Sequence, residues 1–224
     1  MFRTLKEMAV TAHDTMEHMP ESLVALRNSP VQARSTARLT ALLDAAAAVV
    51  DEIGFERLTT AMVAERAGAS IGTVYRYFPD RIALLQALAA RNLERVLSRL
   101  ADEVVDERHA DWGSALEGAF DILVDAFRTE AGFRGLRVGD VIDLRPAPTE
   151  RTFNSIVSNR LLDGMVARFG VSDTAETRFH FEAAMEVADA LVARAFARDA
   201  QGDEAFIQAA RDATSAMLAS HFGD

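Results

Sequence analysis

The chain has 224 residues, half of them hydrophobic and 26% charged, and its formal net charge is −10. This length allows one large or two small domains with a buried core. The lack of cysteine excludes disulfides, thiolate zinc sites and thiol catalysis, and neither a secretory signal nor a membrane-spanning apolar run is visible, so we expect a cytoplasmic protein.

Helical periodicity dominates the chain, and no alternation of apolar and polar residues indicates strands, so we predict an all-α fold. Residues 1–34, interrupted by Pro20 and Pro30, are taken as an N-terminal extension of uncertain order. The first helix is expected to start after an N-cap at Ser35 and to end before Gly54.

Two short helices are predicted next. Thr60 is placed as the N-cap of the second helix, which ends at Gly68, and Ser70 caps the third, which Pro79 stops. Arg81 opens a long fourth helix that runs to about residue 107. Further helices are predicted over about 114–130, 134–144, 149–169, 173–199 and 203–222.

The second and third helices, within TTAMVAERAGASIGTVYRYF (residues 59–78), have the layout of a helix-turn-helix. Val74 and Phe78 are four residues apart and are expected to be buried. Tyr75 and Tyr77, the only tyrosines of the chain, then flank Arg76 on the outer surface. Phenol and guanidinium groups can reach DNA phosphates and base edges. Periodicity alone leaves open that the rings merely pack on a neighbouring helix.

The net charge argues against a nucleic-acid partner, but the acidity lies outside the helix-turn-helix region. Residues 34–81 carry six arginines and six acidic residues, and therefore have no net charge. Because DNA responds to the local charge of one face, the overall acidity does not exclude it.

Residues 42–88 resemble the DNA-binding domain of the tetracycline-repressor (TetR) family. The matching positions lie at fixed spacings and are Gly54-Phe55 after an Ala-rich helix, Thr60, Ala64-Glu65-Arg66-Ala67-Gly68, Ser70, Gly72, Tyr75, Phe78 and Leu84-Leu85. The resemblance implies an N-terminal three-helix DNA-binding domain, here residues 35–82, followed by a larger helical domain for effector binding and dimerisation, here residues 83–224.

The resemblance also implies contacts to phosphates or bases from Thr60, Ser70, Ile71, Gly72, Thr73, Tyr75, Arg76, Tyr77 and Arg81. One departure removes a cation, because position 71 is often lysine in the family and is isoleucine here. We expect Arg34 and Arg38, beside the start of the first helix, to compensate for it.

The implied function is that of a transcriptional regulator, a repressor that a small, mainly hydrophobic organic effector releases from a palindromic operator. The alternative is a helical ligand-binding or scaffolding protein whose helix-turn-helix no longer binds DNA. No nucleophile or metal pattern indicates an enzyme, and we expect neither a cofactor nor a metal.

Apolar stripes on the last two predicted helices suggest a homodimer built as a two-fold four-helix bundle. Packing of the same stripes on the protomer's own core is the alternative. The predicted interface consists of Ala184, Val187, Ala188, Leu191, Val192, Ala195, Phe206, Ala210, Ala213 and Met217.

The middle helices are rich in aromatic residues, and an apolar pocket with a few polar groups is what a small effector needs. The polar groups predicted to orient the ligand are Arg137, Asp140 and Arg145. The predicted lining is completed by Phe120, Leu123, Phe127, Leu136, Val141, Phe153, Met165, Phe181 and Met185, with Phe169 and Phe179 as further aromatic candidates.

The spacing of the histidines does not predict a metal site. His13 and His18 are five residues apart and diverge around a helix. His180 and His221 stand singly on Ala-rich helices, where a structural role is expected.

Overall fold

The computed structural model describes residues 30–138 and 152–222, except the side chains of residues 30–32, 138, 153 and 220. Within these ranges the chain forms helices and no strand, which confirms the predicted all-α fold. A short 3-10 helix covers Phe55–Arg57. The α-helices of the described ranges are α1 (Pro30–Ile53), α2 (Thr60–Arg66), α3 (Ile71–Tyr77), α4 (Arg81–Val105), α5 (Trp112–Thr129), α6 (Phe133–Val138), α7 (Phe153–Phe169), α8 (Ala175–Phe196) and α9 (Glu204–Phe222).

Two predicted helix starts are wrong. Helix α1 begins at Pro30 rather than after Ser35, since the fixed φ and missing N–H of proline suit the first turn of a helix. Helix α2 is capped by Thr59 rather than Thr60, because the Thr59 hydroxyl accepts a hydrogen bond from the Met62 N–H at 3.3 Å. The predicted N-cap of α3 at Ser70 agrees with the structure, and so does the predicted start of α4 at Arg81.

The chain divides by its internal contacts into two units, with the boundary between Leu42 and Leu43 inside α1. In the first unit the described residues belong to the N-terminal half of α1, where the side chains from Ala33 to Arg38 are exposed. All the other described helices belong to the second unit.

In the second unit, the end of α1 together with α2 and α3 encloses a small apolar core. Val50, Leu58, Val63, Val74 and Phe78 are all buried. The turn between α2 and α3 is closed by the Ala69 N–H, which donates to the Ala64 carbonyl at 2.9 Å. This core therefore fixes which side of α3 faces outward.

The larger helices of the same unit pack around a second apolar core. Phe127 is buried in it, with its ring stacked on Phe196 at 4.8 Å and in edge contact with Phe133 at 5.1 Å between centroids. Helices α4, α5, α7, α8 and α9 all contribute buried side chains to this core. No helix in the described part of the chain is both long and apolar enough to cross a membrane.

The turn between α5 and α6 is joined to α1. The Gly132 N–H donates to the Asp51 carboxylate at 3.0 Å, and Gly132 has φ +76°, which favours glycine. A Cβ at this position would lie 3.2 Å from the Ala47 Cα, so the two backbones approach closely. Nearby, Arg91 of α4 pairs with Asp44 of α1 at 2.7 Å. The C-terminal half of α1 is thus joined to α4 and to the turn between α5 and α6.

Candidate nucleic-acid interface and internal cavity

Helix α3 presents one buried and one exposed face. The Ser70 hydroxyl accepts from the Thr73 N–H at 3.2 Å and so caps the helix. Val74 and Phe78 point inward and are buried, as predicted. Ile71 and Tyr75, four residues apart on the other side, are 44% and 52% exposed. The helix therefore displays an aliphatic and a phenolic side chain outward.

Arg76 and Tyr77 complete the outer part of α3 in different ways. Arg76 is exposed, and its guanidinium carbon lies 5.8 Å from the centroid of the Tyr77 ring. Tyr77 is only half-buried, with its ring 6.3 Å from that of Phe78. Since α3 contains no acidic residue, Arg76 gives its outer surface a positive charge.

The side chain of Tyr75 accepts a hydrogen bond from helix α2. The buried Thr60 hydroxyl at the start of α2 donates to the Tyr75 phenol oxygen at 3.3 Å. This leaves the phenol O–H of Tyr75 available to donate outward, toward an acceptor such as a phosphate oxygen. Thr60 therefore contacts the Tyr75 phenol, a contact that its position in the sequence does not reveal.

The predicted glycine and hydroxyl contacts lie at the start of α3. Ser70 and Gly72 are exposed, and Thr73 is half-buried with its hydroxyl 2.9 Å from that of Ser70. A Cβ built on Gly72 would meet only the Ser70 Oγ, at 3.9 Å, so its backbone is open to a close approach.

Two arginines of the second unit, Arg66 and Arg81, are engaged within the protein. Arg66 forms a two-pronged pair with Glu52, with both N···O distances 2.6 Å, and this contact lowers the pKa of the Glu52 carboxyl. Arg81, predicted to contact DNA, donates to the Phe55 carbonyl at 3.1 Å. Arg34 and Arg38 are exposed on α1, in the first unit. Arg76 is the cationic side chain that α3 itself contributes to this face.

A small apolar cavity of about 20 Å³ lies inside the larger core. Three of the predicted effector residues, Phe120, Leu123 and Met185, line it. The other lining residues are Leu100, Leu116, Ala119, Val157 and Leu161. Its volume is about that of one water molecule, far below the 300–1,000 Å³ of a typical ligand pocket. A ligand could enter here only if the surrounding helices moved apart.

The other residues predicted to line an effector pocket do not line this cavity in the described structure. Phe127, Leu136, Met165 and Phe181 are buried but are not among the described side chains that line this cavity. Phe179 is 66% exposed and so lies outside the core, contrary to expectation. Asp140, Val141 and Arg145, and the side chain of Phe153, lie outside the described residues.

Arg137 is buried and engaged with α7 and α8. Its guanidinium donates to the Asp189 carboxylate and, at 3.3 Å, to the Asn154 side-chain oxygen. The Asn154 amide in turn donates to Asp189 at 3.3 Å and to Glu186 at 2.9 Å. The buried Arg137 therefore joins a polar network that reaches the surface at Glu186.

An open groove of about 720 Å³ runs beside α4 and α5. Its charged side chains are largely paired with one another or with nearby residues. Arg108 pairs with Glu103, Arg99 with Asp125 at 2.6 Å, and Arg211 with Asp121 at 2.5 Å. The groove is therefore less suited to an apolar effector than the internal cavity.

The predicted dimer stripes divide into buried and exposed parts. Five members, Ala184, Ala188, Val192, Ala195 and Ala210, are buried within the protomer, so they pack on its own core. Val187 is 37% exposed, and the partly buried members are Leu191, Phe206, Ala213 and Met217. Phe179, Ala183, Val187 and Leu191 follow one another at four-residue intervals on α8. Val187 and Leu191 belong to the predicted stripe, so the outward face of α8 shares these two residues with it and adds Phe179 and Ala183.

The structure brings together two histidines that sequence analysis treated singly. The rings of His180 on α8 and His221 on α9 stack at 3.5 Å between centroids. Glu176 lies one turn before His180, with its carboxylate 3.9 Å from the His180 Nε2. No motif spacing could reveal this group, because its members come from two helices far apart in the sequence.

Two family models match the chain. The model described as bacterial regulatory proteins, tetR family, covers residues 42–88. The model described as tetracyclin repressor-like, C-terminal domain, covers residues 110–222. Residues 42–88 contain α2 and α3. Residues 110–222 contain α5, α7 and α8, which contribute side chains to the wall of the internal cavity.

Similar proteins are known from sequence and from structure. The HTH-type transcriptional repressor KstR of Rhodococcus jostii is 45% identical over 58 residues, which are 26% of this chain and 27% of KstR. The HTH-type transcriptional regulator BetI of Escherichia coli is 33% identical over 84 residues, 38% of this chain and 41% of BetI. The chain thus matches less than half the length of these relatives. The crystal structure of a TetR-family transcriptional regulator from Streptomyces coelicolor is 34% identical, covers 82% of this chain and 99% of that one, and superposes with a TM-score of 0.69.

Proposed function

The chain belongs to the TetR family of bacterial regulatory proteins, and we propose that it is a transcriptional repressor that binds operator DNA through α3. KstR, one of its relatives, is itself a transcriptional repressor. The sequence identity with known regulators, together with the exposed face of α3, also favours a regulator over an enzyme.

The observation that carries the proposal is the arrangement of α3. Val74 and Phe78 anchor one side in the core, while Ile71, Tyr75 and Arg76 project from the other. A guanidinium can bind guanine edges or phosphates, a phenol can donate to a phosphate, and an aliphatic side chain can contact a thymine methyl. These are the groups that a recognition helix needs in the major groove.

The proposal is tested by selecting DNA from a random library with the purified protein and measuring affinity for the enriched sequence by fluorescence anisotropy. If Arg76 reads a base, Arg76→Ala should cost about 1–3 kcal/mol and relax specificity at one position of the site. Arg198→Ala, which removes an exposed arginine beyond α8, is the matched control and should bind normally.

Failure to enrich any sequence would instead support the alternative, a helical ligand-binding or scaffolding protein whose helix-turn-helix no longer binds DNA. A Tyr75→Ala, Arg76→Ala double variant that stays folded and binds the enriched DNA with unchanged affinity would reject the assigned face. Affinity should also fall as salt rises, because bound phosphates release counterions.

We further propose that the effector is a small, mainly hydrophobic molecule that enters the core beside Phe120, Leu123 and Met185. The support is the purely apolar lining of the internal cavity. Since the cavity is too small for a ligand, binding requires the helices to separate, and α4, which follows the DNA-binding helices, contributes Leu100 to its wall. A ligand that prefers this opened state would shift the protein away from the DNA-bound state.

A homodimer is the assembly that we propose, with α8 and α9 at its centre. The exposed Phe179 and Val187 support a contact on α8, and Leu191 and Met217 border it. Two-fold symmetry would place two α3 helices on inverted half-sites, so the proposed operator is palindromic.

A further inference from the structure

We infer that Glu176, His180 and His221 form a binding site for a divalent transition metal, with Zn²⁺ as the expected occupant. One ligand atom from each of the three side chains lies within 4.8 Å of the others. Two imidazoles and one carboxylate are a ligand set that zinc accepts, leaving a fourth position for water.

The local helix geometry supports this assignment. Glu176 and His180 are four residues apart, so they lie on the same side of α8. The Thr174 hydroxyl accepts from the Thr177 N–H at 3.0 Å and fixes the first turn of α8, which carries Glu176. Two of the three ligands are thus held by one capped helix end.

The third ligand is positioned by aromatic packing at the end of α9. Phe222, next to His221, is in edge contact with Trp112 at 5.2 Å and is stacked on Phe181 at 5.9 Å between centroids. These contacts anchor the last turn of α9 and bring the His221 ring over that of His180. The site therefore combines two helices that are already packed together.

Metal binding would require a small change in the two imidazoles. Their rings are stacked with an interplanar angle of 15°, whereas an ion held by a ring nitrogen lies near the plane of that ring. The rings must therefore splay apart around an ion at about 2.0–2.1 Å from each nitrogen. His221 and Glu176 are exposed, so both can move without disturbing the core.

The test measures binding of Zn²⁺ to the untagged full-length protein by equilibrium dialysis. We expect one Zn²⁺ per chain in the wild type. A His13→Ala, His18→Ala variant is the matched control, since it also removes two histidines, and it should keep this binding. A His180→Ala, His221→Ala variant should lose it, and Glu176→Gln should weaken it by about tenfold or more.

Two further measurements guard against misfolding and nonspecific uptake. His221→Ala alone changes an exposed residue in the last turn of α9, so its circular dichroism should match the wild type while Zn²⁺ binding is lost. Zn²⁺ should raise the unfolding temperature of the wild type and the control, but not that of His221→Ala. Equal Zn²⁺ binding by His221→Ala and the wild type would overturn the site and leave the histidines as a packing pair.

Discussion

The Asp51 carboxylate accepts a hydrogen bond from the Gly132 N–H at 3.0 Å, which connects α1 to the turn between α5 and α6. Burial raises the pKa of the Asp51 carboxyl above its ordinary value of 3.8, although this hydrogen bond and nearby Arg134 partly offset the rise. Asp51 as a residue stays exposed, so burial penalises the charged form of this carboxylate only in part.

Replacing Asp51 by asparagine should leave the protein as stable as the wild type, or more stable, at pH 7. The amide oxygen can still accept from Gly132, while the cost of partly desolvating a charge is removed. Because the folded-state pKa is raised, the wild type loses stability as the pH rises from 3.8 through the folded-state pKa. The advantage of Asp51→Asn should therefore shrink as the pH falls toward 3.8, as urea unfolding at several pH values can measure.

Asp51→Ala provides the contrast, because it removes the acceptor and leaves the buried Gly132 N–H without this partner. Relative to Asp51→Asn, which is equally uncharged, it should cost about 1–3 kcal/mol in the free energy of unfolding at every pH. Equal stabilities of the alanine and asparagine variants would show that the hydrogen bond contributes nothing.

The Thr60–Tyr75 hydrogen bond predicts coupled effects on DNA affinity. Tyr75→Phe should weaken binding by about 1 kcal/mol, since it removes the phenol that donates outward. Thr60→Val should weaken binding less, and only through Tyr75, so adding it to Tyr75→Phe should have little further effect. A double-mutant cycle by fluorescence anisotropy checks this. Fully additive losses would mean that Thr60 contacts DNA independently.

Arg137 should be important for stability, whatever its role toward an effector. Arg137→Ala removes the guanidinium partner of the partly exposed Asp189 carboxylate, which still accepts from Asn154, and should cost about 1–3 kcal/mol in the free energy of unfolding. Arg160→Ala, at an exposed position of α7, should change it by no more than about 0.5 kcal/mol. Urea unfolding distinguishes the two. A similar small effect of both substitutions would show that the Arg137 network is dispensable.

Enlarging the internal cavity should create a binding site for an apolar probe. Leu123→Ala should cost about 2–5 kcal/mol and leave a space beside Phe120 and Met185. Benzene should then raise the unfolding temperature of this variant. Leu58→Ala, in the separate core of the short helices, is the control for a lost leucine and should respond less. No response of Leu123→Ala to benzene would mean that the helices collapse into the space.

The exposed face of α8 predicts the effect of a charge on association. Val187→Glu should yield monomers, because it places carboxylates in the proposed two-fold contact, while the protomer stays folded. Val105→Glu, at another exposed valine on α4, should leave the oligomeric state unchanged. Sedimentation equilibrium measures both. Dimers of Val187→Glu with wild-type affinity would move the interface elsewhere.

Helical periodicity was sufficient to predict the elements because each apolar stripe, such as Val74 with Phe78, records which side of a helix is buried. It could not distinguish a stripe that packs on the protomer from one that meets a partner, so Ala188 and Val187 received the same assignment. Contacts between distant residues leave no local pattern either. The Thr60–Tyr75 bond, the Arg137–Asp189 pair and the stacked His180 and His221 therefore became visible only in the folded chain.

The bond between Asp51 and Gly132 limits how freely the short N-terminal helices can be exchanged between relatives. A chimera joined between residues 82 and 83 would take Asp51 and Asp44 from one parent and Gly132 and Arg91 from the other. Its two halves would meet with mismatched partners wherever the parents differ at these positions. Grafting a new DNA specificity onto this protein should therefore begin with the outward side chains of α3 and leave the sequence of α1 in place.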